Sequence, residues 1–131
     1  MRVAAALAML CLTVPLVCSC RPVRKANRIE VVAIARVVDR NQPDHDMCST
    51  LTMSKADVVR YFALADVVDA GEFHDQAIIL PCKYQGSIRM GGHVYQWEIF
   101  AGGAGYLYDG AAVNKRYVCR ERCLAALPNL Q

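Results

Sequence analysis

The sequence predicts an α+β domain in which one main helix packs on a small antiparallel, meander-like sheet stabilised by disulfides. Between residues 54 and 69, apolar side chains recur at three- and four-residue spacing, which is typical of a helix. From Phe73 onward the period changes to two, and Gly91-Gly92 separates two such stretches as in a β-hairpin. Four cysteines in the same part of the chain are enough for two disulfides.

The first half of this domain predicts a strand, a loop and the main helix. Ile29 to Val38 is rich in β-branched residues and alternates, so we predict a long strand with one face buried and the other partly buried. Residues 39–46 contain Asn, Pro and three aspartates, which is loop composition. Ser54 followed by Asp57 has the form of a capping box, and we expect the helix to run from there to about Asp69, where an Ala-Gly pair ends it.

Short strands dominate the second half. Pro81 ends a short apolar stretch, and the two stretches around the Gly-Gly pair form the predicted hairpin. The predicted elements are strands at Ala77–Leu80, Tyr84–Met90, His93–Phe100, Tyr106–Tyr108 and Tyr117–Cys119, followed by a short helix at Arg120–Leu127.

Cys48, Cys82, Cys119 and Cys123 are the disulfide candidates, and they admit three pairings. Cys119 and Cys123 lie only four residues apart, and two cysteines in one helix have poor geometry for bonding to each other. We therefore predict that each of them reaches a distant partner, Cys48 or Cys82.

Residues 1–19 have the pattern of a secretory signal peptide, with Arg2 before an apolar run and a basic stretch after it. The string Val17-Cys18-Ser19-Cys20 resembles the lipobox of bacterial lipoproteins, an aliphatic residue three places before an obligatory Cys with a small residue just before it. The resemblance implies that Cys20 becomes the lipidated, palmitate-bearing first residue of a membrane-anchored protein. An ordinary cleaved signal peptide is the alternative.

Cysteine parity supports lipidation. Five cysteines follow residue 19, an odd number for an exported domain, and lipid on Cys20 leaves four for two disulfides. An intermolecular bond through Cys20 is the alternative that gives the same parity. The chain is then expected to divide into a signal peptide (1–19), a lipidated Cys with a short basic tether (20–28) and a single domain (29–131). Arg21 is not the Asp that retains many lipoproteins in the inner membrane of enteric bacteria, so the resemblance favours the periplasmic face of the outer membrane.

Charge and aromatic residues point to two candidate partner-binding sets. The net charge is only +3, which does not indicate a nucleic-acid-binding face, whereas residues 41–80 hold seven acidic and two basic residues. An acidic set expected to follow the main helix would suit a basic partner, and aromatic residues on neighbouring strands would suit a recognition surface. A solubilising surface and a covered sheet face are the respective alternatives. The sets are Asp66, Asp69, Glu72 and Asp75, and Tyr95, Trp97, Tyr106 and Tyr108.

Two functions from different classes follow. The first is a non-enzymatic, membrane-tethered protein-binding module, of the envelope-accessory or toxin-immunity type, with no cofactor. The second is a small cell-envelope hydrolase that uses His74 or His93 with an acidic residue. The only local metal groupings, His45 with Cys48 and His74 with Asp75, lack the paired spacing of a zinc site, so we predict no metal.

Overall fold

The computed structural model describes residues 28–131, which form one six-stranded antiparallel sheet with helices on both faces. The predicted signal peptide, Cys20 and all of the tether except Arg28 lie outside the described residues. The strands are β1 (Glu30–Val38), β2 (Asp66–Val68), β3 (Cys82–Met90), β4 (His93–Phe100), β5 (Ala104–Asp109) and β6 (Ala112–Val118), in the order β1-β3-β4-β5-β6-β2. The helices are α1 (Lys55–Leu64), α2 (Ala70–Gln76) and α3 (Glu121–Ala126), with 3-10 helices at His45–Thr50 and Pro128–Leu130.

The predicted fold class, one main helix on a small sheet, is wrong. The six-stranded sheet is the largest element, and the three α-helices in residues 28–131 have ten, seven and six residues. No helix in this range is long and apolar enough to cross a bilayer.

The predicted main helix stops at Leu64 rather than Asp69 because the chain turns into the edge of the sheet. Val67 and Val68, which continue the helical spacing in the sequence, are β-branched and pair instead with Tyr117 and Arg116 of β6. Asp69 then starts α2 by accepting a hydrogen bond from the Glu72 backbone N–H at 2.8 Å, so the Ala-Gly pair opens a helix instead of ending one.

The beginning of α1 is confirmed as a capping box. The Asp57 carboxylate accepts from the Ser54 backbone N–H at 2.9 Å, and the Ser54 hydroxyl accepts from the Asp57 N–H at 3.2 Å. The first of these bonds is the main cause that lowers the pKa of Asp57.

One buried hydrogen bond fixes α1 on the sheet. The Tyr61 hydroxyl donates to the Gly103 carbonyl at 3.0 Å, and Tyr61 is fully buried. A side chain at Gly105 would collide with the Tyr61 ring, so the glycine leaves the space that the helix needs. Phe62, the next residue of α1, packs edge-on against Trp97 and Tyr117.

The Gly91-Gly92 hairpin is confirmed. Both glycines have positive φ, 56° and 82°, as a two-residue hairpin turn requires, and β3 pairs with β4 from Met90–His93 out to Lys83–Phe100.

The strand predicted at Ala77–Leu80 is wrong, because this segment is a loop held by a backbone bond from Leu80 to Ala101. Pro81 has no N–H with which to continue a ladder, so β3 begins one residue later.

The predicted disulfide pairing is also wrong: Cys48 bonds to Cys82, and Cys119 bonds to Cys123. Cys119 lies after the end of β6 and before the start of α3, so the second pair spans a strand-to-helix turn rather than one helix. That turn brings the two Cα atoms to 5.1 Å, within the range that a disulfide accepts. The Cys48–Cys82 bond joins the 3-10 helix after β1 to the start of β3.

The two disulfides should contribute unequally to stability. The Cys48–Cys82 bond spans 34 residues and the Cys119–Cys123 bond spans 4, and the chain-entropy relation gives about 4 and about 2 kcal/mol for loops of these lengths. In urea unfolding, the double variant Cys48→Ala/Cys82→Ala should therefore lose more stability than Cys119→Ala/Cys123→Ala. All four side chains are buried, so the second variant is a matched control for the cavities created. Equal losses would contradict the entropic argument.

Candidate functional site

Much of the sheet is covered on one side only. Helices α1 and α3 and both 3-10 helices contribute buried residues to the main core, which includes Trp97 and Ile99. On the other side, α2 covers the end formed by β2, β6 and the start of β5, where Phe73 packs with Val68 and Ala104. We call the uncovered remainder the open face. Its side chains include Ala33, Ala35, Lys83, Gln85, Ser87, Gln96, Glu98 and Tyr108.

Glu98 is at the centre of the open face and is held from two sides. Its carboxylate forms an ion pair with the Lys83 ammonium and accepts a hydrogen bond from the Tyr108 hydroxyl at 2.7 Å. Lys83 also lies over the Phe100 ring, 5.5 Å from its centroid. The pKa of Tyr108 is raised above its ordinary value, first by burial and then by its bond to Glu98. The arrangement fixes one negative and one positive charge side by side.

A groove of about 290 Å³ runs beside Glu98, and we call it the open-face groove. Small side chains on β1, Ala33 and Ala35, give the groove its depth next to the longer side chains of the central strands. The side chains that line it on those strands are Gln85, Gln96, Glu98 and Tyr108.

A second, larger hollow of about 480 Å³ lies where β1 ends and β3 begins, and we call it the acidic hollow. Its wall includes exposed apolar side chains, Val37 at 36% and Ile79 at 51% exposure. Asp39 and Asp44 stand at its rim, and Leu80 and Phe100 also line it. Lys83 reaches the hollow as well, but its charge is paired with Glu98.

The predicted aromatic set is divided between the two sides of the sheet. Trp97 is 1% exposed in the main core, and Tyr95 packs against that core and against His93. Tyr106 packs against Phe73 under α2, so Tyr108 is the only member on the open face. A surface that uses all four aromatics together does not form.

The predicted acidic set is largely engaged within the domain. Arg120 contacts Glu72 and, at 3.1 Å, Asp66, and the bond to Glu72 is the main cause that raises the pKa of Arg120. Asp69 caps α2, and Asp75 is exposed on the same helix. The expectation that these acids follow the C-terminal end of a helix is wrong, because Asp69 and Glu72 lie at the N-terminal end of α2. Negative charges are favourable at that end of a helix.

Of the histidines proposed as bases, His93 has an acidic partner. Its Nε2 lies 3.0 Å from Asp109 Oδ1, where the β3–β4 hairpin meets the end of β5, and both side chains are about half exposed. His74 lies in the last turn of α2 and is exposed. His45 contacts Asp46 at 3.2 Å, and Cys48 is in a disulfide, which leaves it without a thiol for a metal. Residues 28–131 contain no group of three or more His, Cys, Asp and Glu side chains that could hold a metal ion.

Sequence reasoning missed the residues of the open face other than Tyr108, although a signal for them exists. A two-residue turn at Gly91-Gly92 fixes the register of its strands, and counting outward pairs Gln85 with Glu98 and Ser87 with Gln96. Because side chains alternate along a strand, these residues lie on the other face of the sheet from Trp97. The charged and amide residues of that face can therefore be predicted from the hairpin alone.

Replacing Glu98 with Gln should lower the pKa of Tyr108. The substitution removes the negative charge and the carboxylate acceptor, whereas burial continues to hold the pKa above its ordinary value of 10.0. Ultraviolet titration of the tyrosinates, with Tyr108→Phe used to assign the signal, measures the shift. In the wild type the raised pKa keeps the hydroxyl protonated in the folded state, so this stabilisation is complete below pH 10 and is lost as pH rises above it. An unchanged titration in Glu98→Gln would contradict the contact.

Comparison with known proteins does not assign the chain to a family. No protein-family model, no curated protein and no solved structure matches it.

Proposed function

We propose that this chain is a membrane-tethered, non-enzymatic protein-binding module of the bacterial cell envelope, and that the acidic hollow is its partner site. The observation that carries this proposal is the combination of exposed aliphatic side chains with an acidic rim. The exposed side chains of Ile79 and Val37 both line the hollow. Exposed apolar residues beside a concave surface are typical of protein interaction sites.

The chemistry of the hollow defines the partner. Asp39 and Asp44 give the rim a negative charge that is not balanced by Lys83, because Lys83 is paired with Glu98. A partner with one apolar side chain to fill the hollow and basic residues around it would bury Val37 and Ile79 and pair with the two aspartates. Charges at such a rim mainly raise the association rate and select the partner.

The short tether determines how far the domain can lie from its membrane. Residues 21–28 reach at most roughly 26–29 Å when extended, so lipid on Cys20 would keep the domain close to its membrane. We place that membrane as the outer membrane, with the domain on its periplasmic side. Envelope assembly and immunity against a delivered toxin are the two roles that such a tethered binder would serve.

Cys20→Ala should abolish membrane association and the incorporation of labelled palmitate, because the side chain that carries the lipid is gone. Fractionation of cells that express the full chain measures membrane association, and growth of the same cells with labelled palmitate measures lipid incorporation. Cys18→Ala is the matched control and should keep the lipid, since Cys18 lacks the neighbours of a lipidation site. Palmitate retained in Cys20→Ala would contradict the anchor.

A photo-crosslinking residue at position 79 of the full chain should give one stoichiometric adduct in cells, whereas the same residue at position 113 should not. Val113 is exposed on β6, outside the hollow, and serves as the positional control. Asp44→Lys should reduce the adduct about tenfold by opposing a basic partner. Asp75→Lys changes an acid outside the hollow and should leave the adduct unchanged. Equal crosslinking from positions 79 and 113, or no effect of Asp44→Lys, would contradict the proposed site.

A small envelope hydrolase is the second candidate, and the His93–Asp109 contact favours it. A carboxylate beside an imidazole can orient it as a general base. In the same cells, His93→Ala and His74→Ala separate the two functions. Loss of the cellular phenotype with an intact position-79 adduct would favour the hydrolase, and an unchanged phenotype would exclude it.

A further inference from the structure

The open-face groove offers hydrogen-bonding groups that the domain itself does not use. The side-chain bonds in this region join Glu98 to Lys83 and to Tyr108, and they leave the amides of Gln85 and Gln96 to the groove. Each amide supplies two donors and one acceptor, and the Glu98 carboxylate retains free lone pairs. The groove is therefore rich in paired donors and acceptors that are a few ångströms apart.

The groove is also electrically balanced. Glu98 is its only charged lining residue, and the Lys83 ammonium neutralises that charge from the adjacent strand. A charged ligand would have to leave water without an unpaired counter-charge among the lining residues, which is unfavourable. Arg116, whose charge acts on Tyr108, lies on β6 outside the lining. A neutral ligand with many hydroxyl or amide groups does not carry this cost, because it has no charge to remove from water.

We propose that the open-face groove is a binding site for a neutral saccharide and holds one hexose unit of a glycan. Its volume of about 290 Å³ is at the lower end of the roughly 300–1,000 Å³ of small-molecule sites, which fits a single ring better than a longer segment. Gln85 and Gln96 donate to and accept from the ring hydroxyls, and the Glu98 carboxylate accepts from them. The small side chains of Ala33 and Ala35 leave space for the ring.

An extended peptide fits the groove less well. Peptides that join a sheet do so at an edge, where backbone groups are unpaired, whereas the groove lies on the face of the sheet. Its central strands, β3 and β4, are paired on both sides, so only side chains point toward a ligand. Side-chain amides and a carboxylate suit neighbouring hydroxyls, which present a donor and an acceptor on each oxygen.

The test uses the full chain in detergent micelles and follows the side-chain NH₂ signals of Gln85 and Gln96 by ¹⁵N NMR. The probes are maltotriose, N,N′-diacetylchitobiose, glucuronic acid and the capped peptide N-acetyl-Ala-Ala-amide. We expect a saturable shift of both signals with at least one of the two neutral saccharides, with a Kd of about 1–10 mM. Gln85→Ala and Gln96→Ala should each raise that Kd about fivefold, the value of one ordinary hydrogen bond.

Val94→Ala is the control, because Val94 is an exposed residue of β4 outside the groove, and its Kd should equal that of the wild type. Near-ultraviolet circular dichroism confirms that each variant is folded. The proposal is overturned if neither neutral saccharide saturates by 50 mM, if the peptide or glucuronate binds more tightly than both, or if Gln85→Ala and Gln96→Ala leave the Kd unchanged. Because the acidic hollow and the groove share no lining residue, position-79 crosslinking reports on the proposed function independently.

Discussion

The layout of the domain depends on the buried hydrogen bond from the Tyr61 hydroxyl to the Gly103 carbonyl. The Gly103 carbonyl also accepts from the Cys119 backbone N–H at 2.9 Å, so in any other position of α1 the buried Tyr61 hydroxyl would be the group that loses its partner. A buried polar group without a partner costs about 1–3 kcal/mol, and this cost holds α1 in place. The bond places the helix over the centre of the sheet, where Gly105 leaves room for the ring. With α1 and α3 on that side, the central strands keep their other side free, and the open face is the result.

The sequence predicts an element correctly where a few neighbouring residues determine its structure. The Ser54–Asp57 capping box, the Gly91-Gly92 turn and the strand at residues 30–38 needed no distant partner to be recognised. The extent of the predicted helix and the disulfide pairing failed for the opposite reason. Val67 and Val68 join the sheet only because β6, almost 50 residues later, offers them backbone partners, and no local pattern contains that contact.

The same distinction governs the candidate site. Gln85, Gln96 and Glu98 could have been grouped from the hairpin register, because the turn sets their neighbours. The acidic hollow could not, since it joins the end of β1, the loop before β3 and Phe100 at the end of β4. The pairing of the acidic set within the domain could not be predicted, because Arg120 lies 54 residues after Asp66, and sequence spacing does not reveal that it binds both Asp66 and Glu72.

Strand β1 has a mechanical consequence in the proposed arrangement. A pull between a membrane anchor before residue 29 and a partner in the acidic hollow would act along β1, whose last residues border that hollow. Antiparallel hydrogen bonds lie across the strands, so this load would shear the whole β1–β3 ladder at once instead of peeling it bond by bond. Beyond the ladder, the Cys48–Cys82 bond limits how far the chain can be extended. The domain would thus act as a stiff link under tension.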